Sequence, residues 1–205
     1  MVAREGKREE NRRRLMDSAR AVFFEDGFEK ANLDEIARRA GLAKGTIYRY
    51  FDSKAELYVE VLVANAEVFV ERLRATVDPS LGPEDQIRRT GNFYFRHFRE
   101  NPEYFRIFWA LENRHLIGGV HDRVVGAVTD IWKRCLQVLA DEIERGVRDG
   151  AFRSCDAWEM ANILWIVGNG LIQTDLDPAR RSLRARDLVE VFEDALELVL
   201  RGLRA

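Results

Sequence analysis

The apolar positions of this chain recur at helical spacing from one end of the sequence to the other. Leu15, Ala19 and Val22 follow the i, i+4, i+7 rule, which predicts a first helix over about residues 7–26. Gly27 then stands where a left-handed residue is needed to end that helix. The sequence shows neither strand-like alternation nor an internal repeat, so it predicts an all-α fold.

Two short amphipathic segments follow the first helix. They predict helices over residues 33–40 and about 44–50, separated only by residues 41–43, which include a glycine. Asn32 stands at the position of an N-cap for the first of the two. Two short helices joined by a three-residue turn that contains glycine are typical of a helix-turn-helix.

Six further helices are predicted after the helix-turn-helix, which brings the total to nine. Ser53 and Glu56 form a capping box at the start of the first of them, and Pro83 suits the first turn of the next. Asp156 and Glu159 repeat the capping pattern before the helix that begins at residue 156. The approximate starts and ends are 53 to the break at 77–83, then 83–101, 102–113, 120–149, 156–174 and 183–203. The sequence therefore predicts a three-helix domain over residues 1–52 and a six-helix domain over residues 53–205.

The composition is that of a globular chain, with 46% hydrophobic and 33% charged residues. The longest uncharged stretch, residues 160–174, is shorter than the roughly 20 apolar residues of a membrane span. No apolar signal core follows the charged N-terminus. Cys135 and Cys155 lack the spacing of a metal or redox site. We therefore expect a cytoplasmic protein with two reduced cysteines and no membrane partner.

Charge is unevenly distributed along the chain, although the net charge is only −2. Residues 1–54 carry a net charge of +3 and residues 55–205 a net charge of −5. Residues 38–54 contain five basic side chains and one acidic side chain, Asp52. This patch suggests a polyanion as the partner of the N-terminal part, but an ordinary solvated surface explains it equally well.

The second helix of the helix-turn-helix carries the side chains that reading DNA requires. Such a helix enters the major groove with its N-terminal residues nearest the base edges. Lys44, Thr46 and Arg49 supply donors there, and Gly45 lets a phosphate or base approach the backbone. Lys54 lies in the first turn of a helix, where a cation is unfavourable unless an external anion is bound. The predicted DNA-binding residues are Asn32, Lys44, Gly45, Thr46, Tyr48, Arg49, Tyr50 and Lys54.

This segment closely resembles the DNA-binding region of TetR-family transcriptional regulators. Residues 32–58 read NLDEIARRAGLAKGTIYRYFDSKAELY, and the likeness includes IAxxAG, KGTIY, the YF pair and SKxxL. It covers about residues 8–60. Two positions depart from the usual pattern, because Asn32 replaces Thr and Ala43 replaces Ser. Asparagine caps a helix equally well, whereas Ala43 lacks a hydroxyl that could reach a phosphate.

The resemblance implies more than the residues show by themselves. It implies a homodimeric repressor in which residues 1–52 form the DNA-binding domain and residues 53–205 form the ligand-binding and dimerisation domain, with a ligand pocket in each subunit. We expect no cofactor. It also implies that the residues facing DNA are Lys44, Gly45, Thr46, Tyr48, Tyr50 and Lys54.

Aromatic residues are concentrated in the middle of the chain, where eight of the 21 lie between Phe93 and Trp109. An apolar wall with few polar groups is typical of a small-molecule site, so we predict a pocket for a lipophilic effector. Its expected residues are Phe93, Phe98, Phe105, Phe108, Trp109, Glu112, Trp132, Asn162, Trp165 and Asn169. Glu112 would select cationic ligands unless a nearby arginine neutralises it. The alternative is that these aromatic side chains are packed core.

The helix predicted over residues 156–174 is apolar on almost every side, which requires burial all round. A second subunit could provide that cover, forming a four-helix interface with the last helix of each chain. The predicted interface residues are Trp165, Gly168, Leu171, Ile172, Leu188, Val191, Phe192, Ala195 and Val199. The alternative is burial within one subunit.

Three histidines, His97, His115 and His121, lack the spacing of a metal site, and no nucleophile or phosphate-loop motif is present. The favoured interpretation is therefore a repressor that a small ligand releases from its operator, and an enzyme is disfavoured. Two alternatives remain. One is a DNA-binding protein without a ligand, and the other is a helical enzyme or cofactor carrier.

Overall fold

The computed structural model describes residues 2–102 and 122–205. Within these ranges the chain forms nine α-helices and one isolated β-bridge. The helices are α1 (Val2–Lys30), α2 (Leu33–Ala40), α3 (Lys44–Ile47), α4 (Lys54–Arg74), α5 (Pro83–Glu100), α6 (Asp122–Arg148), α7 (Ala157–Leu176), α8 (Pro178–Arg181) and α9 (Leu188–Leu203). The predicted all-α fold is confirmed, and the helix predicted over 102–113 lies almost wholly outside the described residues.

Side-chain caps begin three of these helices at the predicted positions. Asn32 Oδ1 accepts a hydrogen bond of 2.8 Å from the Asp34 N–H and so starts α2. Ser53 Oγ accepts one of 3.0 Å from the Glu56 N–H at the start of α4. Asp156 accepts bonds from the N–H groups two and three residues after it, which starts α7.

Three local details differ from the sequence prediction. Gly27 has φ 73° and ψ 168°, an extended conformation available mainly to glycine, so it kinks the end of α1 instead of capping it as a left-handed residue. The helix α3 ends at Ile47, and residues 48–50 form turns. Residues 178–181, which were expected to be a loop, form the short helix α8, because Asp177 caps it and Pro178 occupies its first position.

The described residues fall into two compact units, of which the first contains residues 2–67 and 122–129. Its core combines the apolar faces of α1, α2 and α3 with the start of α4. Leu15, Ile36, Ile47 and Leu57 are fully buried in this cluster. Tyr58, Val61 and Leu62 also belong to it, beyond the predicted domain boundary at residue 52. The three-helix unit therefore depends on the first two turns of α4 for its core.

The second unit contains residues 68–102 and 130–205. Its fully buried side chains come from α5, α6, α7 and α9 and include Ile87, Ile131, Ile143, Ile172, Leu200 and Leu203. The chain end pairs with the segment after α6, since the Arg153 N–H donates to Leu203 O at 2.8 Å. The Ala205 N–H likewise donates to Ala151 O at 3.3 Å. The end of α9 is thereby fixed to the end of α6.

Candidate DNA interface and ligand cavity

The turn between α2 and α3 has the geometry that a helix-turn-helix requires. Gly41 adopts a left-handed conformation, φ 64° and ψ 37°, and the Leu42 N–H donates to Ala37 O at 2.9 Å. Ile47 is fully buried and Phe51 is 1% exposed, so both anchor α3 in the core below it. The N-terminal end of α3 is therefore held at the surface by a rigid support.

Most of the predicted DNA-binding side chains of this segment are exposed. Lys44, Gly45, Tyr48 and Arg49 are exposed, and the Tyr48 side chain retains 52% of its accessible surface. Thr46 is half-buried. The structure thus places these five residues on α3 and in the turn that directly follows it.

Two further predicted DNA-binding residues are engaged with the protein. Tyr50 is half-buried against the N-terminal core, which leaves less of its ring available to a partner. Asn32 is exposed, but its Oδ1 caps α2. Their role at DNA remains a prediction.

The glycine at the start of α3 is not required by the packing of the chain itself. A Cβ atom added at Gly45 would meet nothing within 4 Å. Gly41 provides the contrast, because a Cβ added there would lie 2.5 Å from Arg14 Nη2, and its φ is positive. The missing side chain at Gly45 leaves an open path to the backbone at the N-terminus of α3.

The two predicted DNA-binding lysines already have contacts in the folded chain. Lys44 Nζ lies 2.9 Å from Asp34 Oδ2, and this hydrogen bond raises the pKa of the lysine. Lys54 Nζ donates to the carbonyl of Glu29 at 3.1 Å and lies 4.9 Å from the centre of the Phe28 ring. Partial burial lowers the pKa of Lys54. This lysine therefore holds the end of α1, a role within the protein that the sequence did not predict.

A second feature is a cavity of about 590 Å³, open mouth included, inside the second unit. Its lining residues come from α4, α5, α6, α7 and α9, and none of them is charged. They are Leu73, Ile87, Thr90, Gly91, Tyr94, Cys135, Leu139, Leu164, Trp165, Val167, Gly168, Phe192, Ala195 and Leu196. A predominantly apolar wall with few polar groups is typical of small-molecule sites.

Two of the polar groups in the cavity wall are hydrogen-bonded to the protein. Thr90 Oγ accepts from Gln86 Nε2 at 3.0 Å. The Tyr94 hydroxyl donates to Asn169 Oδ1, and burial raises the pKa of this tyrosine well above its usual value. Tyr94 therefore stays protonated, and the wall that faces a ligand is almost entirely apolar.

The structure places the predicted ligand-binding residues differently from the expected aromatic wall. Trp165 lines the cavity, and Asn169 is bonded to the lining residue Tyr94. Phe93 stacks beside Phe69 instead, with ring centres 5.9 Å apart. Phe98 is 2% exposed and packs near Phe95, with ring centres 6.5 Å apart, so both are core. Trp132 and Asn162 are half-buried away from the lining, and Phe105, Phe108, Trp109 and Glu112 lie outside the described residues.

Several predicted dimer-interface residues are covered by their own chain. Ile172 is fully buried, Leu188 is 5% exposed and Phe192 is 6% exposed. Gly168 is also buried, and a Cβ added there would lie 3.7 Å from Phe192. The partly exposed members of the predicted set are Trp165, Leu171, Val191, Ala195 and Val199. Burial within one subunit therefore accounts for part of the apolar pattern of α7 and α9.

The exposed apolar residues of these helices form a different set. Ile163 is 44% exposed and Ile166 is 60% exposed, and Gly170 continues their stripe at i+7 along α7. On α9, Leu198 is 73% exposed. These residues present apolar surface that the described chain does not cover.

Among residues 2–102 and 122–205, no group of three or more His, Cys, Asp or Glu side chains could hold a metal ion. None of the described helices is both long and apolar enough to cross a membrane. The described histidine, His97, lies beside Phe69, with ring centres 4.7 Å apart.

Both parts of the chain match family models of the same family. Residues 15–61 match bacterial regulatory proteins of the tetR family, and residues 83–173 match the tetracyclin repressor-like C-terminal domain. The chain belongs to the TetR family. It is therefore a transcriptional regulator with an N-terminal DNA-binding domain, and the family predicted from residues 8–60 is confirmed.

Individual TetR-family proteins resemble the chain over most of its length. It is 27% identical over 173 residues to the HTH-type transcriptional activator FasR of Mycolicibacterium smegmatis, covering 84% of this chain and 72% of FasR. A TetR-family regulator from Pectobacterium atrosepticum has a TM-score of 0.75 at 24% identity, covering 98% of this chain and 97% of the other. FadR from Bacillus subtilis, solved with stearoyl-CoA, has a TM-score of 0.70 at 21% identity, covering 93% and 98%. The two solved structures show a shared fold.

Sequence reasoning missed most of the cavity of this TetR-family chain. Leu73, Ile87, Leu139 and Leu164 are ordinary apolar residues of amphipathic helices, and nothing in their spacing separates a cavity wall from core. The available signals were Gly91 and Gly168, two glycines inside helices, and a Cβ at Gly91 would lie 3.4 Å from Leu196.

Proposed function

We propose that this TetR-family regulator is a homodimeric repressor that a small lipophilic ligand releases from a double-stranded DNA operator. Its DNA partner would place it in the cytoplasm. The observation that carries the DNA part is the rigidly anchored N-terminus of α3, where exposed donors surround a glycine that internal packing does not require. The cavity in the second unit supports the ligand part.

DNA contact through this end of α3 fits the chemistry of its residues. Lys44 and Arg49 carry charges for phosphates, and Thr46 and Tyr48 carry hydroxyls for phosphates or bases. The backbone N–H groups of the first turn can reach a phosphate because Gly45 leaves the approach open. A dimer would present two such ends to a roughly palindromic operator with half-sites about one helical turn apart.

Ligand control fits the apolar cavity. Filling it removes apolar surface from water, which contributes about 25 cal/mol for each Å². A ligand releases DNA only if it binds the DNA-free conformation more tightly than the DNA-bound one. The solved stearoyl-CoA complex of FadR supports a lipophilic ligand class for a protein of this fold.

The exposed apolar residues of α7, together with Leu198 on α9, support a dimer. Ile163, Ile166 and Leu198 would bury their exposed surfaces against the same residues of a second chain. Gly170, which is exposed at the end of the stripe, would allow the two backbones to approach closely.

The proposal is tested first by selecting bound duplexes from a random pool and measuring their affinity by fluorescence anisotropy. Gly45→Ala should weaken operator binding at least tenfold, because the new methyl group obstructs the backbone. Its folding stability should stay equal or rise by up to about 1 kcal/mol, since alanine has the better helix propensity. Unchanged operator affinity in Gly45→Ala would contradict the placement of α3 on DNA.

The sign of regulation is tested by transcription from a promoter that overlaps the selected operator. We expect the protein to lower transcript levels and a releasing ligand to restore them. The relative FasR is named an activator. A rise in transcript level on adding the protein would therefore contradict repression and identify the protein as an activator.

A further inference from the structure

The Thr90 hydroxyl in the cavity wall already donates its proton to another side chain. Thr76 donates its hydroxyl proton to Leu73 O at 2.6 Å, so in the 3.1 Å pair between Thr76 and Thr90 the donor must be Thr90. Thr90 Oγ also accepts from Gln86 Nε2. A ligand therefore finds no spare donor at Thr90.

The amide of Asn169 is different, because only one of its two ends is bonded. Asn169 is 6% exposed, and its Oδ1 accepts the hydroxyl proton of Tyr94. Throughout the part of the chain that the structure describes, its Nδ2 has no hydrogen-bond partner. Buried polar groups in native proteins are nearly always hydrogen-bonded, and residues 2–102 and 122–205 supply no acceptor for this NH2 group.

Asn169 is not itself a lining residue, but its amide is bonded to the cavity wall. Trp165, one helical turn earlier on α7, lines the cavity, and so does the adjacent Gly168. Tyr94, which holds the amide oxygen, is a third lining residue. Three neighbours of the amide thus form part of the same wall.

We propose that the cavity takes a lipophilic molecule with one neutral carbonyl oxygen, and that this oxygen accepts a hydrogen bond from Asn169 Nδ2. The inference rests on the proposed control by a ligand and specifies its chemistry. None of the lining residues is charged. A buried carboxylate or ammonium group on the ligand would therefore lose its hydration without gaining a counter-charge. An ester, thioester, amide or ketone meets both conditions.

The test compares three probes of similar length: methyl nonanoate, decane and nonylamine. Their dissociation constants are measured by thermal-shift titration, and release of labelled operator is followed in parallel. The wild-type protein should bind the ester about tenfold more tightly than decane, the difference that one hydrogen bond contributes. Nonylamine should bind no more tightly than decane.

Asn169→Leu removes the donor at nearly constant volume and should bind the ester no more tightly than decane, because the buried carbonyl then lacks a partner. Because this change leaves the Tyr94 hydroxyl without its acceptor, a double variant, Tyr94→Phe with Asn169→Leu, removes both partners and protects the test against misfolding. Asn162→Leu, on the same helix but not bonded to a lining residue in the described part of the chain, is the matched control and should keep the wild-type preference.

Equal binding of ester and decane by the wild type, or a preserved preference in the double variant, would overturn the carbonyl inference. Release of operator by either probe would still uphold the ligand-controlled function. If no probe stabilises the protein or releases operator, the proposed lipophilic control fails and the carbonyl inference fails with it.

Discussion

At the scale of single residues, the proposed contact of Lys44 with DNA would compete with the ion pair that Lys44 forms with Asp34. The pair is exposed, with 2.9 Å between Nζ and Oδ2, so a phosphate can replace the carboxylate. Asp34→Asn should therefore raise affinity for duplexes of any sequence by severalfold. The slope of log affinity against log salt should become steeper by up to about one unit, as expected for one more phosphate contact.

Asp26→Asn is the control for net charge, because Asp26 is equally exposed but lies at the end of α1. Equal gains in the Asp34 and Asp26 variants would show a general charge effect and contradict the competition at Lys44. Anisotropy titrations at several salt concentrations measure both quantities.

His97 gives a second prediction at this scale, because burial and the positive charge of Arg72 both lower its pKa from the ordinary value near 6.5. The neutral form is thus favoured in the folded state. Below pH 6.5 the unfolded chain binds more protons than the folded chain at this site, so stability falls as the pH decreases. Above that pH the contribution of His97 is fully present.

The measurement is the free energy of unfolding in urea between pH 7.5 and about pH 5. His97→Phe should flatten the part of this profile below pH 6.5 and keep the stacking with Phe69 and Phe93. A profile identical to that of the wild type would contradict a lowered pKa at His97.

At the scale of the helices, the start of α4 depends on a reciprocal cap. Ser53 Oγ accepts from the Glu56 N–H, and Glu56 Oε2 accepts in return from the Asp52 N–H. Ser53→Ala should destabilise the protein by about 1 kcal/mol. The midpoint of thermal unfolding should fall by about 2–4 °C. Ser154→Ala, at an exposed position in the segment after α6, should leave the midpoint within about 1 °C of the wild type.

The helices and their caps could be predicted because their signals are local. Asn32, Ser53 and Asp156 stand directly before apolar-periodic segments, and each caps as expected. The cavity could not be predicted in the same way, since its wall depends on which faces of five helices meet. Phe98 is aromatic, as expected of a pocket residue, but it is buried in the core. The hydrophobic periodicity of the sequence does not distinguish a residue of a cavity wall from a residue of the core.

The residues of the dimer surface could not be predicted from the sequence either, because they also depend on how the helices pack. The apolar character of α7 was attributed to a second subunit, but contacts of α7 with α5 and α9 already bury Ile172 and Gly168 inside one chain. Ile172 and Ile166 have the same side chain, but Ile172 is fully buried whereas Ile166 retains 60% of its accessible surface. Only packing in three dimensions makes that separation.

At the scale of the whole molecule, we predict a dimer at micromolar concentration through the exposed face of α7. Ile166→Glu should convert it to a monomer, because the carboxylate would be buried without a partner. Gly168→Arg is less informative than Ile166→Glu, since Gly168 lines the cavity and lies against Phe192, so its variant would also disturb the monomer. Sedimentation equilibrium gives the mass directly.

Arg148→Glu, at an exposed position near the end of α6, serves as the control and should leave the dimer intact. A wild-type protein that sediments as a monomer at this concentration would contradict the proposed interface. A variant Ile166→Glu that remains dimeric would move the interface elsewhere.

The pairing of the chain end with the segment after α6 has a consequence for handling the protein. Leu203 is fully buried, and Arg204 forms an ion pair with Glu84 on α5, so the last residues are part of the second unit. Carboxypeptidase should therefore trim the folded protein only slowly at this end. An affinity tag fused directly after Ala205 would lie next to a paired backbone, and a spacer of flexible residues would keep it accessible to the resin.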